Sequence, residues 1–135
     1  MDPKKWNIPL TYEPKIPAVI TGTCTQTIRE GRKYAAGDLI RFYIWLGRPY
    51  HSKRKTITKY MHISEVLDIE IFESGFSWKS SLGGKDCANW KDADKLAARD
   101  GIIPPTGEAL RDVFISKNGK IPVDGMEAQI VRWSP

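Results

Sequence analysis

The clearest pattern in the chain is the alternation in Val66-Leu67-Asp68-Ile69-Glu70-Ile71-Phe72-Glu73, where Asp68 and Glu70 share one face and Ile69 and Ile71 the other. Period-two alternation predicts a strand buried on one side. A denser apolar run, LIRFYIWL from Leu39, leaves the Ala36-Gly37-Asp38 turn and is closed by Gly47-Arg48-Pro49, which predicts a second strand. Residues Met126 to Trp133 alternate as a terminal strand, and the β-branched Thr23 to Arg29 stretch reads as another, ahead of a turn at Glu30 to Lys33. One stretch has a strong helical rhythm. In residues 88–99, ANWKDADKLAAR, apolar positions at Trp90, Ala93, Leu96 and Ala97 recur every three to four residues, with Asn89 placed to cap the start and Gly101 to stop the end. Shorter helices are predicted at Ile16 to Ile20, ended by Gly22, and at Glu108 to Ile115 behind the Pro104-Pro105-Gly107 break.

Strands mixed with a few short helices, without the regular crossovers of a doubly wound sheet, predict an α+β fold: a small curved sheet or barrel with helices at its rim. A chain of 135 residues supports one such domain. Residues 1–15, rich in Pro and Lys, read as an N-terminal arm laid over a domain spanning 16–135, with Trp6, Ile8 and Leu10 as alternating anchors. Pro9 argues against a central strand there. No apolar run approaches a membrane span and the N-terminus lacks a signal-like segment, so a soluble, cytoplasmic protein is expected. Cys24 and Cys87, with His51 and His62, supply no metal-ligand spacing, and no cofactor is expected.

Charge sharpens the picture. Residues 1–60 hold 12 Lys/Arg against 4 Asp/Glu, a balance of +8, and residues 61–135 hold 9 against 12, a balance of −3. An uneven field of this kind steers a polyanion toward the N-terminal half. Aromatic and basic residues interleave from Arg41 to Tyr50, where Trp45 and Tyr50 are candidates for base stacking beside cations that meet phosphates. The competing reading has Phe42, Ile44 and Leu46 filling a core. A second polar cluster lies on TxTxR: on a strand, Thr25, Thr27 and Arg29 share one face while Cys24, Gln26 and Ile28 take the other. There Arg29 would clamp a phosphate or base edge beside the hydroxyls, unless the row is merely a solvated face. Dinucleotide, P-loop, nucleophile-elbow and zinc-deaminase signatures are absent.

These pieces, in order, resemble the ASCH domain. Gly22-Thr23-Cys24-Thr25-Gln26-Thr27-Ile28-Arg29, then Tyr34, then Ala36-Gly37-Asp38 feeding LIRFYIW, are similar to that family's motif of a Gly, a Lys, TxTIR or TQTIR, and a Gly-Asp turn into a strand. Leu96 to Ile102 resembles the acidic residue and glycine following a helix, Glu108 to Phe114 the next short helix, and EAQIVRWSP the closing strand. The resemblance runs from about residue 16 to 133; the segments after Pro49 and Gly75 match poorly. It implies a PUA-like mixed β-barrel with a cleft between barrel and helices, binding RNA or another nucleic acid; together with the charge and aromatic patterns, RNA or a single strand is favoured, with Thr25, Arg29, Arg32, Lys33, Tyr34, Trp45 and Tyr50 as candidate binding residues. The alternative it implies is a small amidohydrolase acting on an acylated or otherwise modified nucleoside such as N4-acetylcytidine, with Thr27 and Asp100 catalytic. Cys24 occupies the family's lysine position, which removes the expected activator of the threonine hydroxyl. A ribonuclease reading lacks an acid/base pair near the cluster.

Overall fold

The computed structural model describes residues 2–31, 33–80 and 86–134. Its elements, in chain order, are β1 (Lys5–Pro9), α1 (Lys15–Thr21), β2 (Gln26–Arg29), β3 (Leu39–Trp45), β4 (Arg54–Thr56), β5 (Met61–Phe72), β6 (Gly75–Lys79), β7 (Asp86–Cys87), α2 (Trp90–Arg99), α3 (Gly107–Asn118) and β8 (Met126–Ser134). The protein is mixed α+β, one sheet of eight strands with three helices among the described residues. No helix is long and apolar enough to cross a membrane.

The long strand β5 organises the sheet. It pairs antiparallel with β3 at its start, with β8 along most of its length and with β6 at its end. The register with β8 shifts between Ile63 and Glu65, a bulge that adds curl. β3 also carries β1 in parallel and β4 antiparallel, β8 carries β2, and β6 carries β7. The expected barrel does not close. Where β1 approaches β2, a side chain takes the place of a ladder: Arg29 Nη2 donates to the Pro9 carbonyl at 2.7 Å. Pro9 has no N–H to offer a neighbouring strand, so this edge ends in a seam.

Two cores lie on opposite faces of β8. Ala128 and Ile130 join Ile69, Ile71, Leu96 and Leu110 beneath α2 and α3. Val131 and Trp133 join Ile8, Ile40, Phe42 and Ile63 inside the curl. Burial on both faces explains why the adjacent Ile130 and Val131 are both fully buried. The N-terminal segment enters the sheet itself as edge strand β1, with Ile8 and Leu10 buried and Trp6 against Tyr34 at 4.8 Å between ring centroids. Asp38 fixes that entry by accepting from the Lys4 and Ala35 backbone N–H groups and from Trp6 Nε1.

The helices start as their caps dictate: Asn89 Oδ1 accepts from the Asp92 N–H, and the Thr106 hydroxyl from the Ala109 N–H. Gly101 combines a left-handed φ of +75° with a close approach, since a Cβ there would meet Cys24 Sγ at 3.3 Å. It therefore turns the chain off α2 and lets Asp100 reach α1.

Candidate functional site: a buried ion pair and a basic aromatic face

Gln26 donates to the Leu96 carbonyl of α2 and Ile28 joins the core beneath α2 and α3, while Thr27 and Arg29 alternate with them along β2. On the helix side, Lys15 Nζ from α1 lies 3.1 Å from Asp100 Oδ2, and both residues are only 4% exposed. Gln26 Nε2 donates to Asp100 Oδ1 at 3.1 Å, and Gln26 Oε1 accepts from Arg132 Nε at 3.0 Å. Arg132 in turn pairs with Glu65. A charge-alternating chain thus runs from α1 through α2 and β2 to β8 and β5. Burial pushes the Asp100 carboxyl above the usual carboxylate range, against the opposing pull of Lys15, Gln26 and Arg29.

Thr27 is 2% exposed and accepts from Arg29 Nε at 3.2 Å. Both line a small recess with Lys15, Asp100, Tyr12 and Lys117, floored by apolar side chains of α3. Its volume is about 70 Å³. Ligand pockets usually begin near 300 Å³, so this recess takes a group of a few heavy atoms rather than a nucleotide. Cys24 is buried beside it. Burial raises its thiol pKa, Lys15 opposing, which favours the protonated form, and its Sγ–H donates to the Gln26 carbonyl.

A wider cleft of about 940 Å³ opens on the other side of Arg29. Arg29, Lys33 and Lys79 line it with Asp68, Glu70, Asp86 and Glu127, and Trp78 contributes one wall. Among the described residues carboxylates there outnumber cations by four to three, an unfavourable setting for a polyanion. Tyr34 is buried, its backbone N–H donating to Gln129 Oε1 at 2.8 Å, and so it is a piece of the core. Thr25 is half-buried and its carbonyl accepts from the Trp133 N–H. Arg32 lies outside the described residues.

Trp45 and Tyr50 sit elsewhere, on the outer face of β1, β3 and β4. Along β3, Ile40 and Phe42 point inward and are fully buried, leaving Arg41, Tyr43 and Trp45 on the opposite face. Phe42 thus fills a core, and Leu46 does not: it is exposed. The outer row is continuous: Tyr43 and Trp45 meet edge to face at 5.5 Å, and Trp45 meets Tyr50 at 5.2 Å. Cations cover the rings. Arg54 lies 4.7 Å from Tyr43, and Arg41 and Lys5 lie 4.4 and 5.5 Å from Tyr60. None of these three cations has a carboxylate partner among the described residues. Sequence explains why: between Asp38 and Glu65 there are six Lys/Arg and no acidic residue. Tyr50 is 77% exposed and holds a φ of +64°, a conformation costly for a bulky residue.

Arg54 and Lys15 were not candidates from sequence. Arg54 stands in an ordinary-looking HSKRK run and acquires meaning only through its register with Trp45. Lys15 meets a partner 85 residues away, and no local signal announces it. No family model, curated protein or solved structure matches the chain.

Proposed function

We propose that this protein binds single-stranded nucleic acid, RNA foremost, on the outer face of β1, β3 and β4. One observation carries the reading: a row of aromatic rings, Tyr43, Trp45 and Tyr50, with Tyr60 on the same face, carries the cations Arg54, Arg41 and Lys5, which have no carboxylate partners among the described residues. Rings stack bases of any sequence and the cations meet phosphates. The strained Tyr50 backbone fits such a surface, because ring exposure is obtained at the expense of local stability. The resemblance to ASCH domains points the same way. The recess and the mixed-charge cleft are poorer hosts for a polymer, the first by size and the second by sign. The test is fluorescence anisotropy with labelled single-stranded RNA, single-stranded DNA and duplex DNA at two salt concentrations. Tight, salt-sensitive binding to the single strands, weakened by Arg54→Ala and Trp45→Ala but not by Arg29→Ala, supports the reading. Affinity indifferent to salt and to both face variants overturns it.

A second reading, an amidohydrolase of acylated nucleosides, is favoured by the arrival of Lys15 in the recess that Thr27 lines. An amine thereby reappears in a chain whose family-motif lysine is replaced by Cys24. A proton passed from Lys15 to Asp100 would leave a neutral amine to take the Thr27 proton, and burial of Asp100 favours that transfer. Incubation with N4-acetylcytidine should then release cytidine and acetate, and no product beyond a Thr27→Ala control ends this reading.

A further inference from the structure

Four residues before Trp45 along β3, the outer face carries a second group of polar side chains. There Arg41 is held at two points: its Nε donates to Asn7 Oδ1 from the facing position on β1, and its guanidinium lies 4.4 Å from the centre of the Tyr60 ring. We propose, resting on the nucleic-acid reading of this face, that Arg41 and Asn7 recognise a guanine base through its O6 and N7 acceptors. Arg41 is then the specificity-determining residue of a surface whose rings stack any base.

The donor geometry argues for it. Arginine carries only N–H donors, set in a planar fork, so the Asn7 carbonyl oxygen has to face Nε and the Asn7 amide nitrogen points away from it. The Tyr60 hydroxyl approaches the same Oδ1 at 3.5 Å. With Nε occupied, the two Nη groups of Arg41 make no hydrogen bond or ion pair among the described residues, and the Asn7 amide nitrogen makes no hydrogen bond among them either. The group therefore offers donors, and an edge of adjacent acceptors satisfies them. Guanine presents O6 and N7 side by side, and an arginine fork on that pair is the commonest specific base contact. On the corresponding edge adenine places an amino donor beside N7, cytosine exposes its N4 amino group and uracil offers O4 alone. A phosphate also fits a guanidinium, but charge for the backbone is supplied nearby by Lys5, 5.5 Å from the same ring, and by Arg54 beside Tyr43. Arg41 differs from them in being fixed by an acceptor as well as a ring, which lowers the entropic cost of presenting its fork in one orientation. Tyr43 follows two residues on along the same face, about 7 Å along the strand, where the next base can stack.

The experiment measures, by fluorescence anisotropy, the affinity of the full chain for labelled oligouridine RNA nonamers whose central base is guanine, adenine, cytosine, hypoxanthine or 7-deazaguanine. The guanine probe should bind at least about five-fold more tightly than the adenine and cytosine probes. Hypoxanthine, which keeps O6 and N7, should match guanine; 7-deazaguanine, which keeps the ring face and loses the N7 acceptor, should fall to the level of adenine. Arg41→Lys keeps the charge without the fork and should erase the preference, and Asn7→Ala, which releases Nε, should narrow it. Arg54→Ala should lower all five affinities alike. Equal affinities that still depend on salt and on Arg54 overturn the guanine site and leave the nucleic-acid reading standing, whereas no binding of any probe overturns both. A preference that 7-deazaguanine retains, or that survives Arg41→Lys, comes from stacking or from another residue and likewise overturns the proposal.

Discussion

Removing Lys15 probes the interior most sharply, because its ammonium and the Asp100 carboxylate are held 3.1 Å apart in a nearly water-free environment. At that distance, with an effective dielectric of about 20, their attraction is about 5 kcal/mol. Desolvation costs several kcal/mol per ion, so the pair as a whole contributes little net stability. Breaking it is another matter. Lys15→Met leaves a buried carboxylate without its counter-ion and should cost about 3–5 kcal/mol at pH 7. For a chain of 135 residues that lowers the melting temperature by roughly 10–20 °C. Lys15→Met combined with Asp100→Asn removes both charges and keeps an acceptor for Gln26, so it should return to within about 1 kcal/mol of wild type. The pH dependence has a fixed sign. Burial raises the Asp100 pKa in the folded state, so its contribution is full below the unfolded value near 3.9 and is lost as pH rises through the folded value. Loss of Lys15 raises the folded value further, and the deficit of the single variant should narrow from pH 7 to pH 4. Urea unfolding followed by tryptophan fluorescence measures the wild type, Lys15→Met, Asp100→Asn and the double variant. A single variant within about 1 kcal/mol of wild type at both pH values would refute the buried ionised pair.

Three further outcomes are expected. Native protein should be inert to a thiol reagent such as DTNB and should release two thiols on unfolding, because Cys24 and Cys87 are both buried and reduced; rapid native labelling would contradict the packing around Gly101. Tyr50→Gly should match or exceed wild-type thermal stability, since glycine accepts a φ of +64° without strain, while single-strand affinity falls by about 1–3 kcal/mol; a large stability loss would show that the ring braces the fold. Gly107→Ala should destabilise by about 1–3 kcal/mol in thermal melts, because its Cβ would come within 2.6 Å of Ala93 Cβ and 2.7 Å of Trp90 Cε3, and a neutral result would contradict the close contact of α2 and α3.

Much of the fold is legible where the signal is local. The alternation through Ile69 and Ile71, the Asn89 cap with the rhythm of α2, and the Gly22 stop of α1 each fix an element from a few neighbouring residues. β1 is harder: Trp6, Ile8 and Leu10 alternate as in a strand, but Pro9 obscures the signal, and only the parallel register with β3 turns an arm into a sheet edge. Whether the sheet closes is set by long-range geometry at the Pro9 seam. The candidate sites divide in the same way. Trp45 and Tyr50 stand out in an aromatic, basic stretch, whereas Arg41 and Tyr43 gain their role by sharing the face of β3 opposite Phe42, and Arg54 by cross-strand pairing. Tyr34, named by the motif it resembles, is taken up by packing against Trp6 and bonding to Gln129. Lys15 becomes meaningful only when α1 meets the end of α2.

The most direct test of the nucleic-acid reading is ultraviolet cross-linking of bound single-stranded RNA, followed by mass spectrometry of the modified peptides. Cross-links concentrated on Tyr43, Trp45, Tyr50 and Tyr60, and lost together with affinity in Arg54→Ala, are the predicted result. Cross-links confined to Trp78 and the strands around the wide cleft, or an absence of cross-linked peptides under conditions where the RNA is bound, would contradict it.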